Sequence, residues 1–291
     1  MQYALFPIEA RPSVTTFTMT LLVAVGSFAA GVLGALTGLG GGIVIVPMLT
    51  LFFHVDLRYA IGASLVSVIA TSSGAASAYV REGFTNARAG IFLEVATTFG
   101  ALSGAFLAAW IAPSVLAVLF GVVLLYSAWR SFHAPEEHVS HEKAHPWAAK
   151  LRLASSYPGL DGPQSYSVQA VPQGFAVMFG AGVLSALLGI GSGALKVLAM
   201  DQLMKFPFKV SSTTSNFMIG VTAAASAGVY LHRGYIHPVI AFPVMVGVLA
   251  GALTGARILP RSDPRPLRVL FSIVVVVMAV QMLVKGIRGL P

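Results

Sequence analysis

The sequence predicts an all-α polytopic membrane protein made of two homologous repeats with broken helices. Three observations predict this class. Of 291 residues, 56% are hydrophobic and 10% charged, against roughly 25% charged in a soluble domain, so most of the chain must face lipid or other protein. Eight apolar segments approach the roughly 20 residues that a membrane-crossing helix needs. The second half also repeats the first at a spacing of 151 residues. The composition excludes a soluble enzyme, and the absence of cysteine excludes a disulfide framework, a zinc–thiolate site and a thiol nucleophile.

In chain order, the predicted spans are 18–36, 59–80, 89–111 and 114–129, then 174–188, 210–231, 239–259 and 267–284. The first follows Arg11 and has the outward form of a signal peptide. Its end belongs to the repeat, however, and cleavage would remove a repeated element. Two shorter apolar pieces, 43–53 and 194–204, directly follow glycine clusters. At 1.5 Å rise per residue each is a half-helix of about 16 Å, too short to cross alone. Residues 133–173 differ in character. Four histidines, several charges and the turn-forming Pro158, Gly159, Asp161, Gly162 and Pro163 mark a solvated linker. Within it Glu136, Glu137, His138, His141, Glu142 and His145 have a helical spacing that could gather a metal on one face. Nothing fixes a closed ligand set, so no metal and no cofactor is expected. The chain divides into an N-terminal transmembrane repeat (1–132), a hydrophilic linker (133–173) and a C-terminal transmembrane repeat (174–291).

The repeat is read without a gap from about residue 31 to about residue 128. Gly31, Val32, Leu33, Ala35, Leu36, Gly38, Gly40, Gly42 and Val46 meet Gly182, Val183, Leu184, Ala186, Leu187, Gly189, Gly191, Gly193 and Val197. Further on, Ser64 meets Ser215, Thr71 meets Thr222, and Gly100-Ala-Leu-Ser-Gly104-Ala meets Gly251-Ala-Leu-Thr-Gly255-Ala. Shared apolar composition would scatter its matches, whereas a colinear series of glycines indicates duplication. Duplicated membrane halves point to a transporter with its site between the repeats.

The clusters Thr37-Gly38-Leu39-Gly40-Gly41-Gly42 and Leu188-Gly189-Ile190-Gly191-Ser192-Gly193 would each cost a helix several kcal/mol, at roughly 1 kcal/mol per glycine. Each is therefore expected to break its helix. Unwound backbone inside a membrane must be buried in protein or line a wet cavity. The half-helix after each break offers unpaired N–H groups and a positive dipole end, a combination that receives anions. Gly40, Gly41, Gly42, Gly191, Ser192 and Gly193 are thus the predicted wall of a pocket for a small oxyanion. The same glycines have GxxxG spacing, as do Gly100/Gly104 and Gly251/Gly255, and for the last two pairs close helix packing is the better reading.

Lys196 stands in the first turn of the second half-helix and corresponds to Ile45 in the repeat. A lysine there either adds positive charge to the pocket or snorkels to an interface. Ser64, Thr213, Ser215 and Asn216, near the starts of the next spans, can donate hydrogen bonds to an anion or to neighbouring helices. Glu94 is the only acid well inside an apolar segment. It is the proton-coupling candidate, although its place near the start of its span also suits an interfacial carboxylate. No HExxH, GxSxG or P-loop arrangement occurs, and no catalytic residue is assigned.

The segment Gly34-Ala-Leu-Thr-Gly38-Leu-Gly40-Gly-Gly42-Ile-Val-Ile-Val-Pro47 resembles the N-terminal motif of the TauE/SafE family of sulfite and organosulfonate exporter-like permeases. Gly189-Ile-Gly191-Ser-Gly193 resembles its second-half counterpart. Length, duplicated halves and the polar segments Ile61-Gly-Ala-Ser64 and Ser212-Thr-Thr-Ser215-Asn216 are similar too. The resemblance implies a secondary transporter, in the export direction, for small sulfur-containing anions across the plasma membrane. Its partners would be the anion and the lipid bilayer, with no nucleic acid, and homo-oligomerisation is left open. An anion channel, or a permease for another small oxyanion or carboxylate, is the alternative. The chain departs from the pattern at Leu198, where the first half has Pro47, at Lys196, and in the long linker.

Charge supplies a topology. The 18 Lys and Arg against 10 Asp and Glu leave +8, an excess that in a membrane protein belongs to cytoplasmic loops. If each glycine cluster with its half-helix completes a crossing, a path of about 32 Å, each half crosses five times and the halves are inverted. Twelve basic residues then fall on one side and five (Arg11, Arg58, Arg233, Lys285 and Arg288) on the other. If each piece dips in and returns, eight crossings and parallel halves give ten against seven. The positive-inside rule favours ten crossings, with the linker cytoplasmic.

Overall fold

A computed structural model of the chain describes residues 16–37, 41–81, 83–132, 145–159, 162–258 and 264–290. Helix α1 (Thr16–Thr37) ends at the first glycine cluster. Helix α2 (Gly42–Pro47) runs straight into a π turn (Met48–Phe52), followed by α3 (Leu57–Arg81), α4 (Ala87–Leu107) and α5 (Pro113–Phe132). The connection holds α6 (Pro146–Lys150) and an antiparallel hairpin of β1 (Ser155–Gly159) and β2 (Gly162–Tyr166). The second half holds α7 (Val171–Leu188), α8 (Gly193–Leu198) with its π turn (Ala199–Leu203), α9 (Phe208–His232), α10 (Pro238–Ile258) and α11 (Pro264–Arg288). Gly42, Leu57, Ala87 and Pro113 open helices, and Gly193, Phe208, Pro238 and Pro264 open helices too, in each case 151 residues later.

Local chemistry sets these bounds. Prolines open α5, α6, α10 and α11, where the missing N–H would have no partner in any case. Asn86 caps α4, its Oδ1 accepting from the Ala89 N–H at 3.0 Å. Pro47 precedes the first π turn, but Leu198 precedes the second, so proline is not what makes these turns.

Four windows, 17–34, 87–107, 171–188 and 238–255, are long and apolar enough to cross a membrane by length and composition. The outer faces agree: Phe17, Leu21 and Val25 on α1, Ile91, Val95 and Phe99 on α4, and Val239, Phe242 and Val246 on α10 are exposed. Apolar bands of that extent belong in lipid. The protein is an all-α multi-pass membrane protein in which the hairpin is a minor element.

The two halves interlock by exchange. Helix α1 packs along α10, and α7 along α4. The contact is backbone to backbone: a Cβ at Gly100 would collide with the Phe179 carbonyl oxygen, and one at Gly251 with that of Phe28. These glycines serve close packing, as their spacing predicts.

Hydrogen bonds between loops define two end faces. On the first, Arg58 Nη2 donates to the Ala109 and Ile111 carbonyls at 3.1 and 3.3 Å, its guanidinium lies 5.7 Å from the Tyr235 ring centre, and Lys285 Nζ donates to Thr50 O at 2.8 Å. On the second, Thr213 Oγ1 donates to Phe84 O at 3.0 Å, and the Gln169 N–H to Met204 O at 3.0 Å. Helix α3 therefore runs from the first face to the second and α9 from the second to the first. Arg58, Arg233, Lys285 and Arg288 stand at the first face, and Arg88, Lys150, Arg152, Lys205 and Lys209 at the second.

From His145 onward the connection carries folded elements that dock on the helices while many of its side chains stay exposed. Leu153, Tyr157, Tyr166 and Val168 are buried with the ends of α4 and α9. The Tyr166 ring lies 5.5 Å from Phe206, and Asn86 Nδ2 donates to both Leu153 O and Tyr166 Oη at 2.7 Å. Hydropathy averaging hides such anchors, because a few large side chains spaced along a polar stretch are enough to dock it. His145 Nδ1 caps α6 by accepting from the Trp147 N–H at 3.2 Å. Glu136, Glu137, His138, His141 and Glu142 lie outside the described residues. Among the described residues, no three metal-ligating side chains gather.

Candidate functional site

The predicted helix breaks occur, and the structure brings them together. Helix α7 stops at Leu188, and Gly189, Gly191 and Ser192 take left-handed backbone angles (φ +68°, +71° and +48°) before α8 begins at Gly193. Glycine suits the first two because a Cβ is strained at positive φ. Ser192 tolerates it at some cost. On the other half, Gly41 and Gly42 open α2, and Gly40 lies outside the described residues. A Cβ on Gly42 would stand 3.0 Å from Ser64 Oγ and 3.1 Å from Gly189 O, so the two breaks touch.

Ser64 joins them, its hydroxyl donating to Gly189 O at 2.7 Å. Its counterpart Ser215 donates to Gly193 O at 3.2 Å. Ser192 Oγ is buried without a hydrogen-bond partner, a polar group of the kind that calls for a ligand or water. Thr213 is not part of this cluster, since its hydroxyl donates to Phe84 O at the end face. Residues two apart on a helix point to opposite sides, so a polar run on α9 cannot converge on one point. Asn216 is half-buried on the same helix.

Lys196 does not snorkel. It is fully buried, and Nζ donates to Thr222 Oγ1 at 2.5 Å. The Thr222 hydroxyl in turn donates to Glu94 Oε1 at 2.6 Å, which also receives Thr98 Oγ1 at 3.2 Å. Lys196 Nζ lies 3.7 Å from Glu94 Oε2, an oxygen that has no hydrogen-bond partner of its own. Glu94, with a place in sequence that also suited an interface, is 7% exposed and turned inward. The structure thus joins the candidate lysine and the candidate acid, from α8 and α4, through a threonine on α9. Thr222 carries no signal in sequence beyond its match with Thr71. What could have exposed the pair is the rule that an intramembrane charge seeks a partner, applied to one unpaired lysine and one unpaired acid.

Long apolar helices, two interrupted helices that meet, and a charged pair buried beside one of them define the class as a multi-pass membrane transporter. A model of the sulfite exporter TauE/SafE family matches residues 22–282, and the chain belongs to that family. It is 30% identical over 278 residues to the probable membrane transporter protein YunE of Bacillus subtilis, covering 93% of this chain and 99% of the relative. It is 28% identical to the probable membrane transporter protein YdhB of Bacillus subtilis, covering 81% and 89%. It is also 26% identical to the probable membrane transporter protein MJ0441 of Methanocaldococcus jannaschii, covering 91% and 95%. No solved structure matches the chain.

Proposed function

We propose that this protein is a secondary transporter that exports small sulfur-containing anions, such as sulfite or organosulfonates, by alternating access around the junction of its two helix breaks. One observation carries the reading: at that junction the Gly42 and Gly189 backbones meet, joined by Ser64 and flanked by the unpartnered Ser192 hydroxyl. Backbone N–H groups and hydroxyls can replace the water around an oxyanion. Gly41, Gly42, Ser64, Gly191, Ser192, Gly193 and Ser215 would form the site, with Lys196 one turn below it. The family and the relatives named as probable membrane transporters support transport rather than catalysis. In this reading residues 1–132 and 174–291 descend from one duplicated unit, cross five times each in opposite senses, and rock against each other.

The test is a panel of anions offered to purified protein in proteoliposomes, with sulfite, sulfonates, sulfate and small carboxylates. Accumulation of a sulfur oxyanion or sulfonate against its gradient is the expected result. Downhill flux alone would indicate a channel, and selective uptake of a carboxylate would overturn the sulfur reading.

A further inference from the structure

The Glu94–Lys196 pair has no packing reason to exist. Taking two charges out of water costs several kcal/mol per ion, and apolar residues of similar volume often do as well or better. The protein contains that apolar version of itself. At a spacing of 151 residues, Lys196 corresponds to Ile45, Glu94 to Met245 and Thr222 to Thr71. Ile45 is fully buried in α2, and among the described residues the Thr71 hydroxyl bonds within α3, to Ser67 O or Val68 O at 3.1 or 3.2 Å. The α2–α3–α10 packing holds with no charge at the three corresponding positions, so the α8–α9–α4 packing carries its two charges for another purpose.

Resting on the anion-transport reading above, we propose that Glu94 is the built-in counterion of Lys196, exchanged during transport for one substrate anion plus one proton. The incoming monovalent anion takes the Lys196 ammonium while the Glu94 carboxylate takes up a proton, and the two are carried together in the same direction. The charges balance. The empty site holds an ammonium and a carboxylate; the loaded site holds an ammonium, an anion and a neutral carboxylic acid. Neither state leaves net charge in the membrane interior, where it is costly. The proton has partners after transfer, because a carboxylic acid can donate to one threonine oxygen while accepting from another, and Thr222 and Thr98 both reach Glu94. The anion enters from the adjoining break, where Gly193 begins α8 three residues before Lys196.

Among the described residues, the other charged groups on these helices lie at a distance from the pair. Helix α7, packed along α4, has no titratable residue. On α4 itself Arg88 is exposed in the first turn, about 9 Å along the axis from Glu94. On α9, Lys209 and His232 lie about 20 and 15 Å along the axis from Thr222, and the Tyr230 hydroxyl is engaged with Ala186 O at 2.9 Å. Beyond α8, Asp201 stands in the π turn, about 7 Å further along the axis than Lys196.

The decisive experiment measures binding and proton uptake together on the full chain in detergent. Methanesulfonate and 2-hydroxyethanesulfonate are the probes, because strong acids keep one fixed charge between about pH 5 and 9. Calorimetry in buffers of different ionisation enthalpy should show one proton taken up per anion, with affinity falling about tenfold per pH unit over the range in which that proton is taken up. Glu94→Gln should abolish both the uptake and the pH slope, and Lys196→Met should abolish binding at every pH. The double variant Lys196→Ile/Glu94→Met, which copies the other half, should fold with a thermal midpoint at or above that of the unaltered protein and bind neither probe. Binding without proton uptake, a slope that survives Glu94→Gln, or binding by the double variant would overturn the exchange and leave the transport reading standing. Failure of both probes to bind the unaltered protein would defeat the sulfonate reading itself.

Discussion

At the scale of single residues, burial turns polar side chains into commitments. Lys196→Met alone leaves Glu94 buried without its counter-charge, which should cost about 3–5 kcal/mol, whereas adding Glu94→Met should recover most of that loss. A double-mutant cycle on unfolding in detergent reads the difference. Tyr166 gives a second prediction, outside the membrane. Burial pushes its phenol up to about 12 from 10.0, with the hydrogen bonds from Asn86 and Ser155 acting in the opposite direction. The folded form thus holds the proton where the unfolded chain has lost it. Docking of the hairpin should be at full strength below about pH 10 and weaken as pH rises through about 12, and ultraviolet titration of tyrosinate against hydrogen exchange of β1 and β2 checks it. Both Glu94 and Lys196 could be singled out from sequence, because charges are rare in apolar segments. Their pairing could not, since nothing local links residues on two helices so far apart in the chain.

At the scale of elements, glycines fall into two groups that sequence does not separate. Gly251→Leu should force α1 and α10 apart, since even a Cβ there collides with the Phe28 carbonyl, and the loss should be at least about 2 kcal/mol. Gly180, within α7, has nothing within 4 Å of an added Cβ, so Gly180→Ala should be neutral or stabilise by up to about 1 kcal/mol. Thermal midpoints of the two variants in the same detergent would contradict this if they moved together. Element positions were legible to within a few residues, because apolar length and proline or glycine punctuation are local signals. The hairpin was not, because Tyr157 and Tyr166 gain their value from partners distant in the chain, among them Phe84 and Phe206, 6.5 and 5.5 Å away.

At the scale of the whole molecule, direction is the testable quantity. Asp56 precedes α3 at the first face, and Lys209 opens α9 at the second; both are exposed. The chain lacks cysteine, so Asp56→Cys and Lys209→Cys each supply a single label site. An impermeant maleimide applied to intact cells should modify Asp56→Cys alone, given that the more basic second face is expected in the cytoplasm. Labelling of both from the same side would exclude inverted halves.

The sequence by itself determined the membrane class, the number and approximate bounds of the long helices, the two breaks and the identity of the rare buried charges. Each of these follows from composition or from spacing within one segment. The tertiary structure alone decided that the breaks touch at Gly42 and Gly189, that Thr213 belongs to an end face, and that Lys196 is answered by Glu94 through Thr222. Those facts depend on which helix lies beside which, and α4 meets α8 and α9 only because the two halves exchange partners across the fold.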